Sequence, residues 1–248
     1  MRTMHVIGIG AGDPDQVTVA AIKAMNTVDV FFVIDKGAQK QELVDVRTRI
    51  LREHVPTDHR VVEFTDPPRD RAPSDYDDAV DTWHDLRARM LADLVDAEPS
   101  ESVGAMLVWG DPSLYDSTLR VVERVRAVLD SPFEVSVIPG VTSPSALAAA
   151  HRIVMNRVGE PVLTTTGRRL RDEGLPDGVT AAVVMLDSDC SFRSLPGWNV
   201  WWGANLGTPG EVILAGPVDD IGDEIVARRA ALRAEAGWVM DTYLVHRP

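Results

Sequence analysis

Val103-Gly104-Ala105-Met106-Leu107-Val108-Trp109-Gly110-Asp111-Pro112 is the stretch on which the fold turns. A continuous apolar run of strand length stops at a Gly-Asp-Pro turn, the pattern of a strand buried on both faces. On either side of it, His5–Ile9, Val30–Ile34, Val61–Phe64 and Phe133–Ile138 are further short apolar or β-branched runs. Helical spacing fills the gaps over Val17–Val28, Leu43–His54, Asp75–Ala97 and Leu114–Leu129. Asp66–Ser74 carries three prolines and reads as loop. Strands alternating with helices predict an α/β domain with a mostly parallel sheet and helices on both faces. Ligands of such sheets sit at the carboxyl ends of the strands.

The pattern changes after Pro139-Gly140. Thr142–His151 is an Ala-rich helix, and strands then come closer together: Pro161–Thr166, Ala181–Leu186, Val200–Gly203, Glu211–Gly216 and Trp238–Val245. One further helix, Asp219–Glu235, precedes the last strand. This spacing predicts a mixed, largely antiparallel α+β domain. The expected division is 1–139 for the N-terminal domain and 140–248 for the C-terminal one.

The 248 residues are 45% hydrophobic and 25% charged, enough to bury a core without a metal or disulfide staple. Twenty-five Lys and Arg against 38 Asp and Glu give −13, which disfavours nucleic acid or an anionic membrane as a partner for the whole surface. From Glu63 to Glu101 there are 12 acidic and 4 basic residues, read as a solvated face. Cys190 is the single cysteine, so a disulfide within the chain and a multi-cysteine metal site are both excluded. With no apolar run near the roughly 20 residues of a membrane span and no targeting signal, a cytoplasmic protein is expected.

Three glycine-bearing turns follow three of the strands. The first is Gly8-Ile9-Gly10-Ala11-Gly12-Asp13-Pro14. It departs from the dinucleotide fingerprint, which needs glycine where Asp13 stands, and a carboxylate there opposes a pyrophosphate. Pro14 and Asp15 are expected to open the next helix. The second, Trp109-Gly110-Asp111-Pro112-Ser113-Leu114-Tyr115, offers either a ligand-binding carboxylate or a helix cap in Asp111. The third, Ile138-Pro139-Gly140-Val141-Thr142-Ser143-Pro144, places hydroxyls where they can cap a helix. Together they supply amides, hydroxyls and carboxylates with little positive charge, which suits a cationic ligand or one read by ribose and base. His54 and His59 have no partner at metal spacing and read as solvated. A nicotinamide oxidoreductase would rest on Asp35 and the first loop, with Asp13 against it.

In this order and spacing, the three turns resemble the tetrapyrrole (corrin and porphyrin) methyltransferases over essentially the whole chain. Trp109–Thr118 (WGDPSLYDST), Thr165–Leu170 (TTGRRL), Val184–Asp187 (VMLD), Trp202–Glu211 (WGANLGTPGE) and Gly237–Leu244 (GWVMDTYL) narrow the resemblance. They are similar to the branch that methylates ring carbon C1 of precorrin-5 and releases the extruded acetyl group as acetate. Another precorrin methyltransferase is the alternative within the family, and a tetrapyrrole-binding carrier is the non-enzyme alternative. The resemblance implies a two-domain fold with the cofactor folded between the domains, a homodimer, and S-adenosylmethionine leaving as S-adenosylhomocysteine, without a metal. It implies cofactor contacts from Gly10, Ala11, Trp109, Gly110, Asp111, Leu114, Thr142, Ser143, Met185 and Gly207. The wider family usually has proline where Ala11 stands, and the Gly-Lys-Arg stretch that the uroporphyrinogen methyltransferases carry after strand three is replaced here by Asp66-Pro67-Pro68-Arg69. A polycarboxylate substrate needs a local basic patch on so acidic a protein. Arg69, Arg71, Arg168, Arg169 and Arg171 are the candidates. Asp35, Tyr115 and Asp116 are the candidates for activating the water that removes the acetyl group. Trp198, Trp201, Trp202 and Trp238 are read as apolar surface for the dimer.

Overall fold

The structure, a computed structural model, describes residues 1–35, 41–67, 76–130 and 133–248. The chain divides into two compact units, Met1–Gly10 with Pro14–Val141, and Ala11–Asp13 with Thr142–Pro248. In the first, β1 (Thr3–Gly8), β2 (Val30–Asp35), β3 (Arg60–Thr65), β4 (Val103–Val108) and β5 (Glu134–Ile138) form one sheet in the order β3-β2-β4-β1-β5. All of its pairs are parallel. Side chains alternate across a strand, so β1 sends Met4 and Val6 to one face and Ile7 to the other. Met4 and Val6 join Phe32, Met106, Leu91 of α3 (Tyr76–Asp96) and Val122 of α4 (Thr118–Val128) in one core cluster. Ile7 joins Phe31, Leu107, Met25 of α1 (Val19–Met25) and Ile50 of α2 (Gln41–His54) in the other. Every residue of β4 is buried, as its unbroken apolar run requires.

In the second unit α5 (Ser143–His151), β6 (Leu163–Thr166), α6 (Gly167–Glu173), β7 (Ala181–Met185), β8 (Asn199–Ala204), β9 (Val212–Pro217), α7 (Val218–Ala236) and β10 (Asp241–His246) follow one another. The sheet order is β6-β7-β10-β8-β9. β6 and β7 pair in parallel and the remaining described pairs are antiparallel.

Several boundaries differ from the sequence reading. Pro14–Gln16 forms a 3-10 turn, and α1 starts only at Val19, where the Thr18 hydroxyl accepts from the Ala21 amide. The expected helix from Leu114 starts at Thr118, because Tyr115 adopts a left-handed φ of 50° and the Asp116 carboxylate accepts from the Thr118 amide at 2.6 Å. α6 was not anticipated. Thr166 caps it, and Gly167 is its first residue. Trp238, Val239 and Met240 lie before β10 rather than in it. Trp198 and Trp202 are buried within the second unit and so are not surface for a dimer. His54 and His59 are half-buried rather than solvated: His54 Nε2 lies 3.2 Å from the Pro14 carbonyl oxygen, and His59 packs edge-on to Phe31. Among the described residues, no helix is long and apolar enough to cross a membrane.

Candidate functional site

β4, β1 and β5 are neighbours in the first sheet, so the turns that follow them meet at its carboxyl edge. The backbones there touch because side chains are absent. A Cβ on Gly8 would lie 2.6 Å from the Gly140 nitrogen and 2.8 Å from the Gly110 oxygen, and one on Gly140 would collide with the same oxygen. Gly110 donates its amide to the Gly10 carbonyl at 2.8 Å, with Gly10 at a φ of 79° that only glycine adopts freely. Asp111 then joins the second turn to the third. Its Oδ1 accepts from the Ser113 amide at 2.8 Å and from the Ser113 hydroxyl, while its Oδ2 accepts from the Gly140 amide at 2.9 Å. Burial alone would raise the Asp111 pKa. The Ser113 hydroxyl, the Gly140 amide and the Ser113 amide outweigh it and hold the carboxyl below its ordinary value. Asp111 is therefore a staple between turns and caps no helix. Trp109 and Leu114 flank it, both half-buried.

The second unit has its own edge. Thr142 caps α5, its hydroxyl accepting from the Ser145 amide, with Ser143 and Pro144 in the first turn. Ala11 is buried against Leu147, Val183, Leu206 and Leu244. A Cβ on Gly12 would meet the Leu206 carbonyl oxygen at 2.8 Å. Gly207, at a φ of 74°, donates its amide to Glu211 Oε2 at 2.8 Å. Met185, at the carboxyl end of β7, is half-buried, and Leu186 after it is 66% exposed.

The remaining sequence candidates scatter. Asp35 ends β2, with its side chain outside the described residues, and Arg69 and Arg71 also lie outside them. Tyr115 is 44% exposed on its left-handed backbone. Arg168, Arg169 and Arg171 all ride on α6 and are exposed. Arg169 pairs with Glu173 at 2.7 Å, and Arg171 with Asp172 at 2.8 Å and with Asp189. Arg169 and Arg171 thus already face carboxylates, and the three arginine charges sit among those of Asp172, Glu173 and Asp189 before any substrate arrives. Among the described residues, no three His, Cys, Asp or Glu side chains are grouped to hold a metal.

Two buried arrangements escaped the sequence reading. Arg87 of α3 grips Asp66 through two bonds of 2.6 Å, its guanidinium 3.6 Å over the Trp83 ring, while Trp83 Nε1 donates to the Pro67 carbonyl. In the second unit Asp241 accepts from Arg229 Nε and Trp202 Nε1, both at 2.9 Å. Nearby, Tyr243 donates to Asp187 at 2.6 Å. Burial, then the Asp187 charge, pushes the Tyr243 phenol far up, so it stays a donor. Spacing gives no signal for the hydrogen-bonded partners, which lie 12 to 56 residues apart; only the Trp83–Arg87 stack has helical i,i+4 spacing.

The family model of the tetrapyrrole (corrin/porphyrin) methylases matches residues 3–222. The chain belongs to this family. It is 47% identical over 251 aligned positions to the precorrin-6A synthase [deacetylating] of Sinorhizobium sp, covering 100% of this chain and 96% of the relative. The crystal structure of a cobalamin synthesis related protein (CobF) from Corynebacterium diphtheriae superposes with a TM-score of 0.84 at 38% identity, covering 100% and 99% of the two chains. The uroporphyrin-III C-methyltransferase of Thermus thermophilus, solved with S-adenyl homocysteine, shares the fold at a TM-score of 0.59 and 18% identity, over 99% of this chain and 92% of that one. The glycine-edged sheet is thus that of a tetrapyrrole methylase, and the nicotinamide alternative loses its ground. The helix that would receive a pyrophosphate starts at Val19, well past the glycines.

Proposed function

We propose that the chain is an S-adenosylmethionine-dependent methyltransferase of corrin ring assembly, methylating C1 of precorrin-5 with loss of acetate to give precorrin-6A. The observation that carries this reading is 47% identity along the whole chain to a deacetylating precorrin-6A synthase. When bound, S-adenosylmethionine supplies a methyl group already activated on a sulfonium, and it leaves as S-adenosylhomocysteine. The protein's task is then mostly to position the reactants.

The residues fit that cofactor. The turns at Gly10, Gly110 and Gly140 pack backbone against backbone and spend their amides on one another and on Asp111, with no lysine or arginine among them. A turn cluster with carboxylate and carbonyl oxygens and no cation suits a sulfonium. Gly10, Ala11, Trp109, Gly110, Asp111 and Leu114 are assigned to the cofactor, as are Thr142, Ser143, Met185 and Gly207. Asp111 acts by holding the Gly140 turn. Arg168, Arg169 and Arg171, with Arg69, are assigned to substrate carboxylates, which must displace Glu173 and Asp172 from their arginines in order to bind. Tyr115, Asp116 and Asp35 are assigned to the water that removes the acetyl group. The Asp116 oxygen bonded to the Thr118 amide fixes the orientation of its carboxylate. A homodimer working in the cytoplasm completes the reading.

Calorimetric titration tests the cofactor assignment. S-adenosylhomocysteine is expected to bind one site per chain and NAD to give no heat. NAD binding without S-adenosylhomocysteine binding overturns it.

A further inference from the structure

The corner after β7 combines strain with exposure. Leu186 has a φ of 53°, a left-handed conformation that a branched side chain rarely takes, and it is 66% exposed. Four residues on, Cys190 is left-handed too, at 55°. Such a backbone persists only where its surroundings dictate it, and a buried carboxylate lies between the two.

Asp187 is 5% exposed. Its Oδ1 accepts from the Asp189 amide at 2.9 Å, and its Oδ2 from the Ser191 amide and the Tyr243 hydroxyl, both at 2.6 Å. The Ser191 hydroxyl lies 2.9 Å from Asp187 Oδ1 and 3.0 Å from the Gly167 carbonyl oxygen, with a single proton between two acceptors. Arg229 donates to the Asp187 carbonyl at 2.8 Å. Gly167 is glycine for the same reason, since a Cβ there would occupy the space of the Asp187 side chain. One buried anion thus ties β7, the start of α6, the 3-10 turn Ser191–Ser194 and β10 together. It does so through residues of three motifs that narrowed the family resemblance: Gly167 of TTGRRL, Asp187 of VMLD and Tyr243 of GWVMDTYL.

We propose that Asp187 is a positioning residue of the cofactor site: its fully bonded carboxylate holds the Met185–Leu186 corner in the strained form that presents these two side chains to the ligand. This rests on the proposed function, in which Met185 meets the cofactor. Asp187 itself touches neither cofactor nor substrate. Removing its charge lets Leu186 relax to an ordinary conformation, so the chain stays folded but its ligand-facing corner moves.

The test is titration of the full chain and of Asp187→Asn with S-adenosylhomocysteine, well below each protein's unfolding midpoint, alongside amide hydrogen exchange. The asparagine amide faces donors where the carboxylate accepted, so about a tenfold or greater loss of affinity is expected. Exchange is expected to quicken at residues 186–191 while β7 and β10 stay protected. If Asp187→Asn lowers the unfolding midpoint but keeps the parent affinity within about twofold, the residue is only structural and the proposal falls. Should that variant not fold, Ser191→Ala decides. It loses the hydroxyl but keeps the backbone bond, and unchanged affinity and exchange overturn the proposal. A parent that binds no S-adenosylhomocysteine overturns the proposed function first, and this inference with it.

Discussion

Asp111 shows how much one carboxylate can organise. Both of its oxygens accept from backbone amides, and one of those amides belongs to a turn 29 residues away. Asp111→Asn turns one acceptor into a donor facing a donor, and a charge-assisted bond of this kind contributes about 1.5–3 kcal/mol. The folded pKa lies below the ordinary value. The contribution is therefore complete above the unfolded carboxyl pKa of about 3.9, and it fades as pH falls through the lower folded value. Urea unfolding is expected to show the parent more stable than Asp111→Asn at pH 7, with the gap narrowing at pH 3. An equal gap at both pH values contradicts the assignment. The sequence marked Asp111 as important but left cap and ligand both open, because its partner Gly140 is adjacent only in space.

At the scale of elements, the first sheet was legible because each of its strands is a short apolar run and a helical pattern lies between successive runs. β4 was the clearest, apolar at every position and buried at every position. α6 was not legible. Glycine is a poor helix former away from the caps, and Gly167 opens this helix because the Asp187 side chain fills the place of its Cβ. The clamp between β3 and α3 was equally hidden. Arg87 and Asp66 have side-chain exposures of 5% and 19%, so their bidentate pair is largely shielded from water. Arg87→Met leaves the Asp66 carboxylate without its cation and is expected to cost about 3–5 kcal/mol in urea unfolding. Adding Asp66→Asn to that variant is expected to recover part of the loss, since no unpaired charge then remains. A single-variant cost below about 1 kcal/mol would mean the pair behaves as a solvated one.

For the whole molecule, charge and apolar area mattered most, and the sequence conveyed them unevenly. A net charge of −13 argued for a concentrated basic patch. The structure instead gives Arg169 and Arg171 carboxylate partners on or beside their own helix, so a polyanionic substrate gains attraction only by exchanging partners. Aromatic count in the second half suggested a dimer face, yet Trp198 and Trp202 complete the core of that unit. Composition records how much apolar surface a chain has and not which side of it faces inward. What the whole chain conveyed reliably was the set of strand-end motifs, and with it the family. The deciding measurement is incubation of the protein with precorrin-5 and S-adenosylmethionine, with mass analysis of the tetrapyrrole and assay of acetate. The account predicts a product that has gained one methyl group and lost one acetyl unit, with acetate released in equal amount. A product that gains the methyl group and keeps the acetyl unit, or an untouched substrate, contradicts it.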